Sequence, residues 1–429
     1  MEKSIWAKYD WLLLFIYIAL VIFGWINLYA VGYEKGVTTA SLFDFSTSTG
    51  KQFLWIVGAS ILFVFSLFFD TQFYRSLAYI FYALSIVLLA ATLVWGVKVG
   101  GHSSWFQWRG IQLQPTEFVK LTCALAVAKR LDNIAAKLNQ LKTQLGVLLL
   151  ICVPISFILL QGDVGSALVF SVFIVVLYRE GFSLIILLVG IGLVAIFVLN
   201  VLLPSTYLVI SALGIGLMLI GIGKKNAKRI FIISSITLAI IGLVEVFDWV
   251  EKRVLKPHHQ HRLKVLVDPN ADPLGIGWNV TQSKIAIGSG GLWGKGFLKG
   301  TQTKYGFVPE QRKDFIFCTI GEEYGWLGTS IFIIVFMALV LRTLYIAERQ
   351  RIRFARVYGY GVASILFFHF FVNVGMTIGV LPVIGIPLPF ISYGGSSLWA
   401  FSMMLFILIK FDSERNQYVS WRSVAIDLE

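Results

Sequence analysis

Charge is what this chain has least of. Only 14% of its 429 residues are charged, against about 25% in soluble domains, and that excludes a soluble globular enzyme. Acidic residues are scarcest, 23 Asp and Glu beside 36 Lys and Arg. The resulting +13 collects between apolar runs, which marks membrane topology rather than nucleic-acid binding. Cysteine is nearly absent: Cys123, Cys152 and Cys318 stand in apolar stretches with no Cys-x-x-Cys or Cys/His spacing, and they read as small buried hydrophobes. No tandem repeat or low-complexity tract occurs, and no P-loop, HExxH or Ser/His/Asp arrangement offers ready-made chemistry.

What is present is hydrophobicity, 57% of residues, in solid runs rather than the alternation of a β-barrel. The fold class expected is an all-α integral membrane protein, a polytopic helical bundle. Its runs lie near 11–32, 53–69, 77–97, 116–128, 145–161, 164–178, 183–203, 206–223, 230–250, 315–341, 357–380 and 391–410, giving about twelve spans. The first follows Lys3 and Lys8 without a small-residue cleavage site, so it reads as a span and not a signal peptide. Basic residues gather in alternate gaps, including Arg75, Lys129, Arg130, Arg179, Lys224, Lys225, Arg342, Arg349 and Arg356. By the positive-inside bias both termini are cytoplasmic, and segments 98–115, 251–314 and 381–390 face outward. The loop 251–314 is basic although it faces out, so its charge needs a separate reason.

Polar residues in and beside the spans carry the chemical signal. Gln114-Pro115-Thr116-Glu117 opens the fourth run, and Glu117 and Lys120 stand at i, i+3, able to face the same way. Charged groups inside an apolar segment are costly, and function is the default explanation; the alternative is an ion pair that joins helices. Arg109 in the preceding loop has the planar fork to hold a phosphate or, equally, the stem to snorkel. Asp163, in Gln161-Gly162-Asp163, caps the sixth helix or lines the outer cavity. In the long loop, Lys252 to Lys264 forms a basic amphipathic entry suited to anionic headgroups. Asp268 and Asp272 fit Asx turns or a divalent cation. The glycine-rich stretch through Gly288-Ser289-Gly290-Gly291 and Gly294-Lys295-Gly296 lets backbone approach a ligand, with Ser289 beside it and Lys284, Lys295 and Lys299 as cations. The loop ends in Arg312-Lys313-Asp314, where the carboxylate either caps the next helix or serves as a base. Residues 381–397, dense in proline and glycine, read as a broken or re-entrant segment lining a cavity, with Asn373 and Ser392 pointing polar groups into it.

Four blocks in order carry a resemblance. Gln114-Pro115-x-Glu117, Gln282-Ser283-x-Ile285-Ala286-Ile287-Gly288-Ser289-Gly290-Gly291, Pro309-Glu310-x-x-x-Asp314-Phe315 and Pro387-Leu388-Pro389-Phe390-Ile391-Ser392-Tyr393-Gly394-Gly395 resemble the SEDS (shape, elongation, division, sporulation) proteins. Gly300-Thr301-Gln302 and Asn373-Val374-Gly375-Met376-Thr377 resemble the rod-shape member more than the division member. The resemblance implies a peptidoglycan glycosyltransferase of the bacterial plasma membrane that polymerises lipid II on the outer face. It also implies a class B penicillin-binding protein as crosslinking partner, among other elongation-complex membrane proteins. The family's essential carboxylate matches Asp314, and its intramembrane pair matches Glu117 and Lys120.

Three departures stand out. The family has ten spans, so the runs at 206–223 and 230–250 read as an inserted hairpin, 205–250, within one membrane domain of residues 1–429. Gly162 replaces a usual proline, and Arg312-Lys313 replaces a usual His-Thr, two cations that lower the basicity of Asp314. The expected reaction is an inverting displacement with Asp314 as general base. Arg109, Lys284, Lys295, Lys299 and Arg312, or a divalent cation (Mg or Mn), stabilise the leaving pyrophosphate. Ser289 and Ser392 complete the expected substrate contacts. A flippase for the lipid-linked precursor and a pure scaffold are the rival classes.

Overall fold

The computed structural model describes residues 9–33, 43–99, 102–108, 111–132, 141–183, isolated positions between 188 and 200, 203–222, 226–253 and 276–415. Helices dominate. α1 (Trp11–Gly32), α2 (Ser48–Phe68) and α3 (Thr71–Trp95) each begin at a side-chain cap. Asp10 accepts from Leu13 N at 3.0 Å, Thr47 from Gly50 N at 3.2 Å and Asp70 from Phe73 N at 2.7 Å, satisfying amides that a first turn leaves unpaired. α4 (Pro115–Asp132) starts on proline, whose missing N–H is harmless there. α5 (Leu141–Leu160) and α6 (Val164–Arg179, with a 3-10 turn at Phe170–Val172) follow. Next come α7 (Ser205–Gly221), α8 (Ala227–Arg253), α9 (Ile276–Ser289), α10 (Ile316–Glu348), α11 (Arg353–Thr377) and α12 (Gly395–Glu414).

Among the described residues, 8 helices are long and apolar enough to cross a membrane: α1, α2, α3, α5, α8, α10, α11 and α12. α6 and α7 are apolar but shorter, and α4 carries Glu117, Lys120, Lys129, Arg130 and Asp132. The run at 183–203 is described only in pieces. Contacts divide the chain into two compact units. One holds residues 183–281 and 379–383 and contains the 205–250 hairpin, where α7 packs along α8 and Gly216 leaves just enough room for Thr237. The other holds residues 1–182, 282–378 and 384–429.

In that second-named unit α4 is central, packed against α3, α5, α11 and α12, with residues 115–117, 119–128 and 131 buried. Protein, not lipid, surrounds it, which is why its charged residues are tolerated. Side-chain bonds tie the helix ends into two sets. At one end Asp10 pairs with Arg342 (2.7 Å) and Arg349 (2.8 Å), Glu180 with Arg353 (2.7 Å), and Glu414 accepts from Thr71 N at 2.8 Å. Arg349 also binds Asp412, and Arg75 binds Asp132. Burial by itself raises the pKa of Asp10, but its bonds to Arg342 and Leu13 outweigh that and hold it below the ordinary carboxylate value.

The helical bundle is as expected, and at its other end a small sheet is added to it. Val97–Val99 (β1), His102–Trp108 (β2) and Ile111–Leu113 (β3) form an antiparallel sheet in the order β1-β2-β3, with Phe106 opposite Leu113 and Gln107 opposite Gln112. Trp, Phe, Val and Ile suit a pleated surface, and this segment is too polar and too short to read by hydrophobic period alone. Ser103 N donates to Gln161 O at 3.3 Å, fixing the sheet to the α5–α6 break. Cysteine also differs from expectation: Cys123 and Cys318 are buried, but Cys152 is exposed on the outside of the bundle.

Candidate active site

At the sheet end, the backbone preceding α10 is held by three successive carbonyls. Tyr393 N donates to Arg312 O at 2.9 Å, Ser392 Oγ to Lys313 O at 2.5 Å, and Asn373 Nδ2 to Asp314 O at 2.8 Å. Asn373 also donates to Ile386 O at 2.8 Å, and Ser392 Oγ accepts from Leu388 N at 2.8 Å. The clamp therefore joins α11, the irregular stretch 384–394 and the turn carrying Asp314. Two residues in it take a left-handed backbone without being glycine, Glu310 (φ 53°) and Phe390 (φ 68°). Such strain persists only where the surroundings over-determine it, and it clusters at functional sites. Asp314 is half-buried. The N-cap of α10 is Phe315, with no side-chain cap, so the carboxylate stands one residue outside the helix start.

Asn373 and Ser392 were expected to face a cavity, and Ser392 to touch substrate. Both are buried, 0% and 3% exposed, and both bind backbone. The broken backbone itself is as expected: residues 378–394 are non-helical. α1 approaches it closely, since a Cβ on Gly24 would lie 2.6 Å from Ile391 Cα.

The glycine-rich stretch approaches backbone of its own chain. α10 kinks at Gly325 (φ 64°, ψ −163°). Into that kink fit Lys295 N to Glu322 O at 3.0 Å, Gly296 N to Glu323 O at 2.9 Å, Trp326 N to Gly291 O at 2.9 Å and Leu327 N to Leu292 O at 3.1 Å. A Cβ on Gly294 would collide with the Glu323 carbonyl. Glu322, 0% exposed, then gathers the loop above. Its Oε1 accepts from Lys295 Nζ (2.6 Å), Thr301 N (2.7 Å) and Gln302 N (2.9 Å), and its Oε2 from Thr303 N (2.9 Å) and Thr303 Oγ1 (2.7 Å). Gln311 Nε2 donates to Thr303 O at 2.7 Å, carrying the order on towards Asp314. Lys295, expected to meet substrate, is thus an ion-pair partner of Glu322. The sequence signal for Glu322 was a carboxylate inside an apolar run. Replacing it with alanine strands Lys295 and several amides, and we expect a cost of about 3 kcal/mol. Limited proteolysis across 295–311 in Glu322→Ala checks this; wild-type resistance there contradicts it.

The intramembrane pair is formed. Lys120 Nζ lies 2.8 Å from Glu117 Oε1, both side chains 1–2% exposed. The structure adds a third member: Lys120 Nζ is 3.0 Å from His369 Nε2, and His369 Nδ1 is 3.1 Å from Pro387 O. A lone His in a span gave no periodic cue to this. Asp163 accepts from Ser166 N at 3.0 Å as the cap of α6, and its other oxygen from Gln114 Nε2 at 3.4 Å.

Arg312 is exposed and donates to Ser48 Oγ at 3.2 Å. Beside it lies a cavity of about 190 Å³ lined by Leu28, Tyr29, Gly32, Ser46, Thr47, Ser48 and Thr49. Lys284, Ser289 and Lys299 are exposed, with Ser289 Oγ donating to Ala286 O at 2.8 Å. Arg109, Asp268, Asp272 and the basic entry beyond Arg253 lie outside the described residues. Among the described residues no three His, Cys, Asp or Glu side chains come together to hold a metal.

Comparison with known proteins gives a consistent picture. The FtsW/RodA/SpoVE family, described as cell cycle protein, matches residues 10–211 and 204–417. The chain is 31% identical over 423 residues to peptidoglycan glycosyltransferase RodA of Treponema pallidum, covering 92% of this chain and 95% of that one. It is 33% identical over 326 residues to peptidoglycan glycosyltransferase MrdB of Escherichia coli K12, covering 76% and 75%. A solved structure described as coordinating polymerization and crosslinking by a peptidoglycan synthase complex matches with TM-score 0.69 and 26% identity, over 95% of this chain and 99% of that one.

Proposed function

The chain belongs to the FtsW/RodA/SpoVE family, and from that premise we propose that it is a peptidoglycan glycosyltransferase polymerising lipid II during cell elongation. It is a multi-pass membrane protein. The observation that carries the site is the clamp on carbonyls 312–314, which fixes a carboxylate at the bundle end opposite the arginines. Arg75, Arg342, Arg349, Arg353 and Arg356 mark the other end as cytoplasmic by the positive-inside bias, so both termini face the cytoplasm and Asp314 faces out. The site polar groups gather at one end, where a polymerase needs them; a flippase needs gates at both.

In this reading the acceptor sugar hydroxyl gives its proton to Asp314 and attacks the anomeric carbon of the donor. The bond to pyrophosphate breaks with inversion. Pyrophosphate leaves without a protein acid, its charge met by Arg312, Lys299 and Lys284, with Arg109 as a further cation. A class B penicillin-binding protein crosslinks the product. Arg312→Ala combined with Lys299→Ala is expected to lower lipid II turnover about tenfold or more. An unchanged rate in the double variant contradicts the role given to these cations. For sidedness, an impermeant thiol reagent applied to intact spheroplasts is expected to label Lys299→Cys and to spare Arg351→Cys; the reverse pattern contradicts the orientation.

A further inference from the structure

His369 lies outside the reaction just described, yet it is the link between the intramembrane ion pair and the clamp. It is 0% exposed in α11, with its ring edge-on to Phe401 at 4.9 Å. An ammonium has only hydrogens to offer, so Lys120 Nζ donates to Nε2, which must be the unprotonated ring nitrogen. The proton of the neutral imidazole then sits on Nδ1 and points at the Pro387 carbonyl, which can only accept. Both neighbours select the same tautomer. Glu117 completes the series by holding Lys120 in place. From Pro387 the chain runs to Leu388, whose N–H binds Ser392 Oγ, and on to Ser392 and Tyr393, which grip the carbonyls of Lys313 and Arg312. On α11 itself, Asn373 lies one helical turn beyond His369 and grips the third carbonyl, that of Asp314.

We propose that His369 is a positioning residue for the Asp314 carboxylate, acting through the Pro387 carbonyl. The proposal rests on the reading of Asp314 as general base. It assigns the Nδ1 contact the functional weight: α4 supplies a charged anchor, and the imidazole converts it into a fixed donor for the loop. A displacement of the order of 1 Å at a reacting group costs about 10²-fold in rate, and the Nδ1 contact acts on this loop beside the Asn373 bond to Ile386 O. A residue acting in this way alters turnover far more than substrate affinity.

The two ring nitrogens can be separated by substitution. The amide nitrogen of asparagine takes the place of Nδ1, whereas glutamine reaches the place of Nε2. His369→Asn, which keeps a donor for Pro387, is expected to hold kcat on lipid II within about threefold of wild type. His369→Gln, which keeps the Lys120 contact and loses the Pro387 one, is expected to lose about 10²-fold in kcat, with KM little changed. Hydrogen exchange supplies a readout independent of activity. In His369→Gln the amides of Leu388 and Tyr393 exchange faster while those of α1 and α10 stay as in wild type; in His369→Asn all four regions match wild type. Equal losses in the two variants, a glutamine variant that works as well as wild type, or faster exchange throughout the bundle would each overturn the proposal. Asp314→Asn measured alongside separates the two readings. If it keeps full turnover, the base assignment fails, and the exchange contrast at Leu388 and Tyr393 still decides the coupling.

Discussion

Lys120→Met is expected to destabilise the bundle by about 3–5 kcal/mol and to abolish strand synthesis, although the Lys120 side chain is only 1% exposed. The reason is the partner left behind. Glu117 is 1% exposed, and its Oε2 already lacks a hydrogen-bond partner among the described residues. Without the ammonium, a carboxylate remains deep in α4 with its main compensation gone, and His369 loses the donor that sets its tautomer. Removing both charges should cost far less than removing one, because a buried pair exchanged for neutral groups of similar volume is often close to neutral in stability. Thermal unfolding in detergent of Lys120→Met beside Glu117→Gln/Lys120→Met reads this directly. A single variant as stable as wild type, or a double variant worse than the single, contradicts the account. Glu117→Ala acts on the same pair and should lower both growth and polymerase rate through geometry.

Asp314→Asn is the second large effect, and it has the opposite signature: turnover lost, fold kept. Asparagine has nearly the shape of aspartate, and the substitution leaves intact the backbone carbonyl that Asn373 holds. General-base assistance typically contributes about 10²–10⁴ in rate, so residual activity should fall to a few percent or below. The melting temperature should stay as in wild type. If stability falls with activity, the carboxylate is a structural group and the clamp has been misread as a catalytic support.

Much of this was legible in the sequence where the signal is local. Glu117 and Lys120 at i, i+3 are able to share a face, Pro115 suits a first helical turn, Asp163 offers a helix cap as one of its two readings, and the proline- and glycine-rich stretch from Leu381 reads as a break. Long-range partners were not legible. Ser392 and Asn373 looked like cavity-facing polar groups because nothing local reveals a bond to a carbonyl 79 or 59 positions away. The glycines of 288–296 suggest ligand approach, and at Gly290 and Gly294 the absence of Cβ also lets the stretch seat against α10, whose kink the apolar pattern hides. The small sheet was missed because its three strands are short and lie between spans. His369 was passed over because a single imidazole in an apolar run has no period. Its meaning comes only from α4 and Pro387 meeting it from two sides.

The most direct measurement is the product made from purified lipid II by the wild-type chain together with a class B penicillin-binding protein, its proposed partner, with Asp314→Asn as the control. Glycan strands from wild type and none from the variant are the result expected. No strands from an intact wild-type complex, together with lipid II crossing liposome bilayers, would contradict the polymerase and point to a flippase.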